Sequence, residues 1–382
     1  MTTDFLWYLP THGDSRHLAG SAALDTLGDS FRSDKRKPAI GYLAEVALAA
    51  ERSGFLGTLI PTGSSCEDAW LVAAAVSQHT TRLKSLVAFR PGFVLPAVAA
   101  QTAASLQRFT GNRLLLNVVT GGSAEEQRAY GDFLSHDERY QRTAEFLDVV
   151  KGVWRGGGFS HAGPHYRIEG GGLVEPLQVT PTIYFGGASP AAERVAAAHA
   201  DVYLLWGETP PMVKERIERV GAQAAALGRR LRFGIRLHVI TRDTEEEAWR
   251  EAERLLAGIP AGAVAQAQRL FDRSESVGQH RMASLHGGIG RSARDLEVYP
   301  NLWAGVGLVR GGAGTALIGS HAQVLERIAE YQELGLDTFI LSGYPNLEEA
   351  YRVGEEILPR AAAALGRRSL GGAAPSLAAA VS

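Results

Sequence analysis

Cysteine is nearly absent. The 382-residue chain holds one, Cys66, so no disulfide can form within it, which fits a reducing compartment. Metal-ligand patterns are missing as well: His12, His136, His165, His238 and His286 form no H-x-H or H-E-x-x-H pair, and a catalytic zinc needs clustered protein ligands. No metal is expected. Charge of one sign is also lacking. The 39 Lys+Arg and 41 Asp+Glu leave a net charge of -2, which offers nothing to nucleic acid or to an anionic membrane surface. No run reaches the roughly 18 apolar residues of a membrane helix. The opening stretch M-T-T-D-F-L-W-Y-L-P-T-H-G-D has neither a basic region nor a long apolar core, so no signal peptide is read there. The expectation is a soluble, cytoplasmic protein.

What the chain does have is alternation. Short apolar runs at 5–9, 57–61, 84–90, 113–120, 182–187, 201–206, 231–240 and 337–343 read as eight strands, most of them apolar throughout, as strands buried on both faces should be. Helical patterns lie between them, and T-E-E-E at 244–247 reads as a capping box. Eight strands, each eventually followed by a helix, predict an α/β fold of the (β/α)8 TIM-barrel type; a doubly wound open sheet is the alternative. We read residues 1–365 as one barrel domain with insertions at 13–38, 155–178 and 241–309. The second insertion reads as a hairpin and the third as a lid. Residues 366–382 read as a flexible tail.

The glycine-rich stretch G-L-V-R-G-G-A-G-T-A-L-I-G, 307–319, fails as a phosphate loop. Ala313 stands where a Walker lysine belongs, and Leu317 breaks the dinucleotide fingerprint. Its glycines read instead as backbone devices around Arg310.

In such a barrel the site forms at the C-terminal ends of the strands. Those ends carry His12, Cys66, Arg90, Asn117, Thr120, Ser189, Trp206 and Tyr344. In G-I-R-L-H-V, Arg236 and His238 are two apart on one strand and share a face. A buried arginine is costly unless paired, so Arg236 is either held by a buried carboxylate or forms the cationic floor of an anion pocket, to which its rigid donor fork is suited. G-G-A-S-P at 186–190 sets a glycine pair before a serine at a helix start. It reads either as an ordinary N-cap or as a phosphate site. Cys66 has no neighbouring histidine in sequence and is a weak nucleophile candidate.

Several motifs carry a resemblance: F-L-W-Y-L-P-T-H-G-D, L-I-P-T-G-S-S-C-E-D-A-W-L-V-A-A, H-D-E-R-Y, Y-F-G-G-A-S, Y-L-L-W-G-E, F-G-I-R-L-H-V-I, N-L-W-A-G-V-G-L-V-R-G-G-A-G-T-A-L-I-G and S-G-Y-P-N-L-E-E-A-Y-R. They run from residue 5 to about 360. The chain resembles the two-component alkanesulfonate monooxygenases of the bacterial luciferase-like superfamily. The resemblance implies reduced FMN as a non-covalent co-substrate, molecular oxygen, and a separate NAD(P)H-dependent FMN reductase that supplies the flavin. The implied reaction cleaves the carbon–sulfur bond of an alkanesulfonate to aldehyde and sulfite, for sulfur scavenging, in a homodimer or homotetramer. It also implies roles. Tyr140, Ser189, Gly187 and Ala188 would hold the FMN phosphate, and Asn117 and Thr120 would line the flavin site with Cys66 near it. His12, Trp206, Arg236, His238, Arg310 and Tyr344 would surround the sulfonate, and His238, Arg310, Tyr344 and Cys66 form the implied catalytic group. His238 or Arg310 could supply protons.

The sequence departs from the resemblance at Ser64, Ala188 and Asn346, where arginine, serine and histidine are usual, and in the 13–38 insertion. Methanesulfonate, longer alkanesulfonates, other sulfonates and sulfones all stay open as substrates. A deazaflavin-dependent oxidoreductase of the same superfamily and a non-catalytic flavin- or sulfonate-binding protein are the alternatives.

Overall fold

In the computed structural model of the chain, residues 3–19, 35–287 and 292–365 are described. Most of the 13–38 insertion, residues 288–291 and the tail from 366 lie outside them. Eight parallel strands close into a barrel: β1 (Asp4–Tyr8), β2 (Gly57–Ile60), β3 (Lys84–Phe89), β4 (Leu114–Val118), β5 (Thr182–Gly186), β6 (Val202–Trp206), β7 (Arg232–Arg242) and β8 (Leu336–Ser342). Each pairs with the next, and β8 pairs with β1 to complete the ring. The open-sheet alternative is excluded by that closure.

The apolar runs form barrel strands because both faces are covered. Leu6, Tyr8, Leu86, Ala88, Leu115, Tyr184, Val202, Leu204 and Ile340 pack inside the barrel. The alternate residues, among them Phe5, Trp7, Val87, Leu116, Phe185 and Phe339, pack outward against the helices. The period of two then aims Arg90, Asn117, Trp206, Arg236, His238 and Ser342 inward at the C-terminal rim. The opposite mouth is closed by Arg232, whose guanidinium bonds Asp337 at 2.7 and 3.0 Å and Asp4 at 2.7 Å. That ion-pair cluster lies at the end of the barrel away from the candidate chemistry.

β7 is the longest of the barrel strands. Its first part, Phe233 to His238, pairs with β8, and its second part, His238 to Arg242, pairs with an added strand, Ala316–Ser320. His238 is the residue common to both pairings. Residues 241–309 are mostly ordered structure rather than loop: helices Glu245–Ala257, Ala263–Asp272 and Val277–Ala283 are followed by the short strands Glu297–Tyr299 and Leu302–Trp303. Residues 155–178 contain an antiparallel pair, Phe159–Ala162 with Arg167–Gly171. Among the described residues, no helix is long and apolar enough to cross a membrane, and no group of three or more His, Cys, Asp or Glu could hold a metal ion.

Candidate active site

The centre of the site is a tyrosine. Tyr8 ends β1, and its ring is met by two guanidinium groups, Arg236 at 4.7 Å and Arg310 at 5.1 Å from the centroid. Its hydroxyl is 3.2 Å from His12 Nδ1. Arg236 is buried and donates to the carbonyl of Leu237 at 2.6 Å. No carboxylate acts on it among the described residues: burial, and next the charge of Arg310, bring it down to about 9. Of the two readings of Arg236, a structural ion pair and an anion pocket, the geometry favours the second. Two buried cations around one ring repel each other, and an incoming anion relieves that repulsion.

Arg310 reaches the pocket because its loop is pinched at the base. Gly307 N–H donates to Gly314 O at 2.8 Å. A Cβ on Gly314 would lie 2.9 Å from Gly307 Cα, so the two backbones approach as only glycines allow. The tip is held by the insertion: Gln279 Oε1 accepts from Gly312 N at 2.9 Å, and Gln268 Nε2 donates to Leu308 O at 3.0 Å.

Tyr344, just after β8, stacks on His238 with centroids 5.2 Å apart and planes at 15°. Its hydroxyl is 3.5 Å from Arg310 Nη1. His238 is fixed at both nitrogens, by Ala313 O at 3.1 Å and Ser342 Oγ at 2.7 Å. Burial, then the charges of Arg236 and Arg310, hold it well below the usual histidine range, so it is neutral. Cys66 lies at the edge of the same field, next to Thr11 and Arg310. Burial pushes its thiol up, which favours thiol over thiolate.

A second cluster gathers across the rim, around the end of β5. Ser189 caps the helix Pro190–His199, its hydroxyl accepting from Ala192 N at 3.2 Å. The Ser189 and Thr120 side chains face the Tyr140 hydroxyl, whose ionisation burial pushes up. Gly187, at φ +143°, is a close approach: a Cβ there would lie 2.6 Å from Ala192 Cβ and 3.2 Å from the Tyr140 hydroxyl, so bare backbone meets the helix start. Three hydroxyls and a helix N-terminus reached by bare glycine backbone suit a phosphate. Ala188 brings no hydroxyl. Asn117 points into the barrel between the two clusters, on β4.

The insertion covers the rim. Glu275 N and Ser274 Oγ donate to Gly122 O at 2.8 and 2.9 Å, and Arg139 Nη2 bonds Glu275 at 2.6 Å. Arg281 bonds Glu208, and a Cβ on Gly278 would meet the Trp206 ring at 3.1 Å.

The structure therefore brings His12, Cys66, Arg236, His238, Arg310 and Tyr344 around Tyr8, and sets Thr120, Tyr140, Gly187, Ala188 and Ser189 together across the rim. Trp206 lies under the insertion. Tyr8, Ser342, Glu208 and Asp14 do not stand out in the sequence. For Tyr8 and Ser342 the signal is parity with inward neighbours on their strands.

Residues 3–338 match the family described as luciferase-like monooxygenase, and the chain belongs to that family. Riboflavin lyase, solved with modified FMN and riboflavin, superposes with a TM-score of 0.76 at 22% identity, over 98% of this chain and 94% of that one. EDTA monooxygenase from Chelativorans sp. BNC1 gives 0.73 at 19%, over 97% and 96%. Long-chain alkane monooxygenase gives 0.74 at 19%, over 96% and 93%. At these identities the likeness is one of fold.

Proposed function

We propose that the chain is a two-component flavin monooxygenase that cleaves the carbon–sulfur bond of an alkanesulfonate. The observation that carries the reading is the pair Arg236 and Arg310 on one Tyr8 ring, with no carboxylate acting on Arg236 among the described residues, opposite the Ser189 helix start and the Tyr140 hydroxyl on the same rim. A phosphate-bearing cofactor and a small anionic substrate are what such a rim accommodates.

FMN fits the second cluster: Tyr140, Ser189, Thr120 and the Pro190 helix start would hold its phosphate, and Asn117 would face its ring system. Reduced FMN supplies the two electrons that activate oxygen, one oxygen atom ending in the aldehyde and the other in water, with sulfite released. Arg236 and Arg310 bind the sulfonate and hold its carbon–sulfur bond in place. Tyr344 braces Arg310 through its hydroxyl. His238 supports Tyr344, its Nε2 proton donated to Ala313 O. Burial lowers Arg310, but Tyr344 and Tyr8 raise it above an ordinary arginine, so it stays a fixed positive charge toward the sulfonate rather than a proton source. The insertion, resting on Trp206 and Gly122, acts as a lid that keeps water out. A separate NAD(P)H-dependent FMN reductase and assembly as a homodimer or homotetramer belong to the same reading.

The test is sulfite release from sulfonates of one to ten carbons, with FMN, a flavin reductase, NADPH and air. Sulfite above the enzyme-free control is expected, and the best chain length names the substrate. FMN binding with no sulfite from any chain length would sink the reading and direct attention to sulfones and to deazaflavin chemistry.

A further inference from the structure

A buried carboxylate outside the anion pocket is bonded to the segment that carries one of its walls. Asp14 is fully buried two residues beyond His12. Its Oδ1 accepts from Ser15 N and Asn346 Nδ2, each at 3.0 Å. Its Oδ2 accepts from Asn346 N at 2.8 Å and the Tyr42 hydroxyl at 2.5 Å. Its backbone pairs in both directions with Arg36, at 3.0 and 2.7 Å. Arg36 in turn bonds the Tyr42 hydroxyl at 3.2 Å and Glu348 Oε2 at 2.8 Å.

Two features of this arrangement need explaining. The helix Asn346–Glu356 has Pro345 at its N-cap position, with no side-chain cap of its own. Asp14 satisfies the first N–H of that helix from a distant part of the chain, where the helix dipole favours a negative charge. A buried carboxylate is nonetheless expensive, and burial pushes Asp14 above the usual carboxylate range against its four donors. A cap alone could come from a serine or threonine in the helix's own sequence. What Asp14 adds is a rigid link between the chain after β1, which carries Tyr8 and His12, and the chain after β8, which carries Tyr344 two residues before Asn346. Trp7 Nε1 donates to Asn346 O at 3.0 Å and completes the link. This also accounts for Asn346, which stands where the resembling enzymes usually have histidine. Its amide is bonded to Asp14, so its side chain serves the link.

We propose that Asp14 is a positioning residue of the anion pocket: by binding both the backbone and side-chain amides of Asn346, it fixes Tyr344 against His238 and Arg310. The proposal rests on the anion-pocket reading above.

An exchange of the two partners tests it. The variants are Asp14→Asn, Asn346→Asp and the double exchange, which restores one acceptor facing one amide. Each is assayed for thermal midpoint, FMN affinity by fluorescence quenching, and KM and kcat for sulfite release. Each single variant should raise KM for the sulfonate at least tenfold with FMN affinity within twofold of wild type. The double exchange should bring KM back below that of Asn346→Asp, in which two carboxylates face each other. A lower thermal midpoint with unchanged KM in the single variants would reduce Asp14 to a helix cap and overturn the proposal, as would a double exchange no better than Asn346→Asp. If Asp14→Asn does not fold, Asn346→Ala removes only the Nδ2 contact and should still raise KM about threefold; an unchanged KM there also overturns it. If the wild-type enzyme releases no sulfite, the function reading has failed separately. Crystal structures of Asn346→Ala and the wild type then decide the proposal by whether the Tyr344 ring leaves the face of His238.

Discussion

Ser342 Oγ lies 2.7 Å from Nδ1 of His238, while the Ala313 carbonyl lies 3.1 Å from Nε2. A carbonyl can only accept, so Nε2 carries the proton, Nδ1 is the acceptor, and Ser342 donates. Ser342→Ala leaves a buried acceptor without a donor, which should cost about 1–3 kcal/mol. Urea unfolding of the two proteins measures this. A loss well under 1 kcal/mol would show that the imidazole turns to another partner.

Arg310 meets the Tyr8 ring and the Tyr344 hydroxyl at the tip of a loop that Gly307 and Gly314 pinch shut. Arg310→Ala removes half of the anion clip and touches nothing in the Tyr140–Ser189 cluster. Turnover should fall at least 100-fold while FMN affinity stays within about twofold, as transition-state charge contacts of this kind behave. Loss of FMN binding would place Arg310 in the cofactor site instead.

Much of this was legible in the residues. The eight apolar runs predict the eight barrel strands because burial on both faces leaves a continuous signature. Arg236 and His238 announce themselves because polar groups inside such a run are expensive. Tyr8 was hidden for the opposite reason: in F-L-W-Y-L a tyrosine is indistinguishable from core, and only the closure of β8 onto β1 brings it beneath both arginines. Asp14 was hidden because its partner, Asn346, is 332 residues away. The insertion at 241–309 reads as helical pieces beside a loose Gly-rich stretch at 285–294; the helices are there, held by contacts to Gly122, Glu208 and Trp206 that no local pattern announces, while 288–291 lie outside the described residues.

The close approach at Gly187 makes a prediction of its own. Gly187→Ala sets a methyl group 3.2 Å from the Tyr140 hydroxyl, in a backbone region L-residues avoid. Tyr140→Phe removes only a hydroxyl. The alanine variant should lose FMN binding by 100-fold or more, and the phenylalanine variant by about 10-fold, roughly 1.4 kcal/mol for one hydrogen bond to a charged group. Fluorescence quenching reads both. Unchanged affinity in both variants would move the phosphate elsewhere.

Acid should destabilise the fold through its buried histidines. Burial, with Lys151 and Arg229 adding to it and Asp148 opposing, brings His199 down to about 4, and His238 and His286 are lowered in the same direction by burial. A histidine lowered in the folded state binds fewer protons than the unfolded chain between about 4 and 6.5. Its contribution is therefore complete above pH 6.5 and is lost as pH falls toward 4. Asp14 and Glu349, raised by burial, act in the opposite sense, so the contrast with a variant is the informative quantity. Between pH 7 and 5, wild type should lose about 2 kcal/mol more than His199→Gln. Parallel losses in denaturant melts at the two pH values would show that His199 protonates freely in the folded state.

Glu208 holds the insertion to the barrel. It is buried at the end of β6, accepting from Arg216 Nη2 at 3.3 Å and from Arg281 Nη2 at 3.2 Å. Arg216 is buried on the helix Pro210–Ala226 that follows β6, whereas Arg281 belongs to the helix Val277–Ala283, whose Gly278 lies against Trp206. The two arginines share one carboxylate, so removing Arg281 loosens the helix Val277–Ala283 without leaving Glu208 unpaired, while the contacts of Ser274 and Glu275 with Gly122 and Arg139 remain. Arg281→Met keeps the apolar stem of the side chain and deletes its charge. Amide exchange over 263–283 should then speed up at least tenfold while β1 and β8 are unaffected, because local opening draws on local contacts. If the insertion excludes water during turnover, the same variant should consume NADPH and release hydrogen peroxide with proportionally less sulfite. Faster exchange without this uncoupling would separate the movement of the insertion from the protection of the reaction.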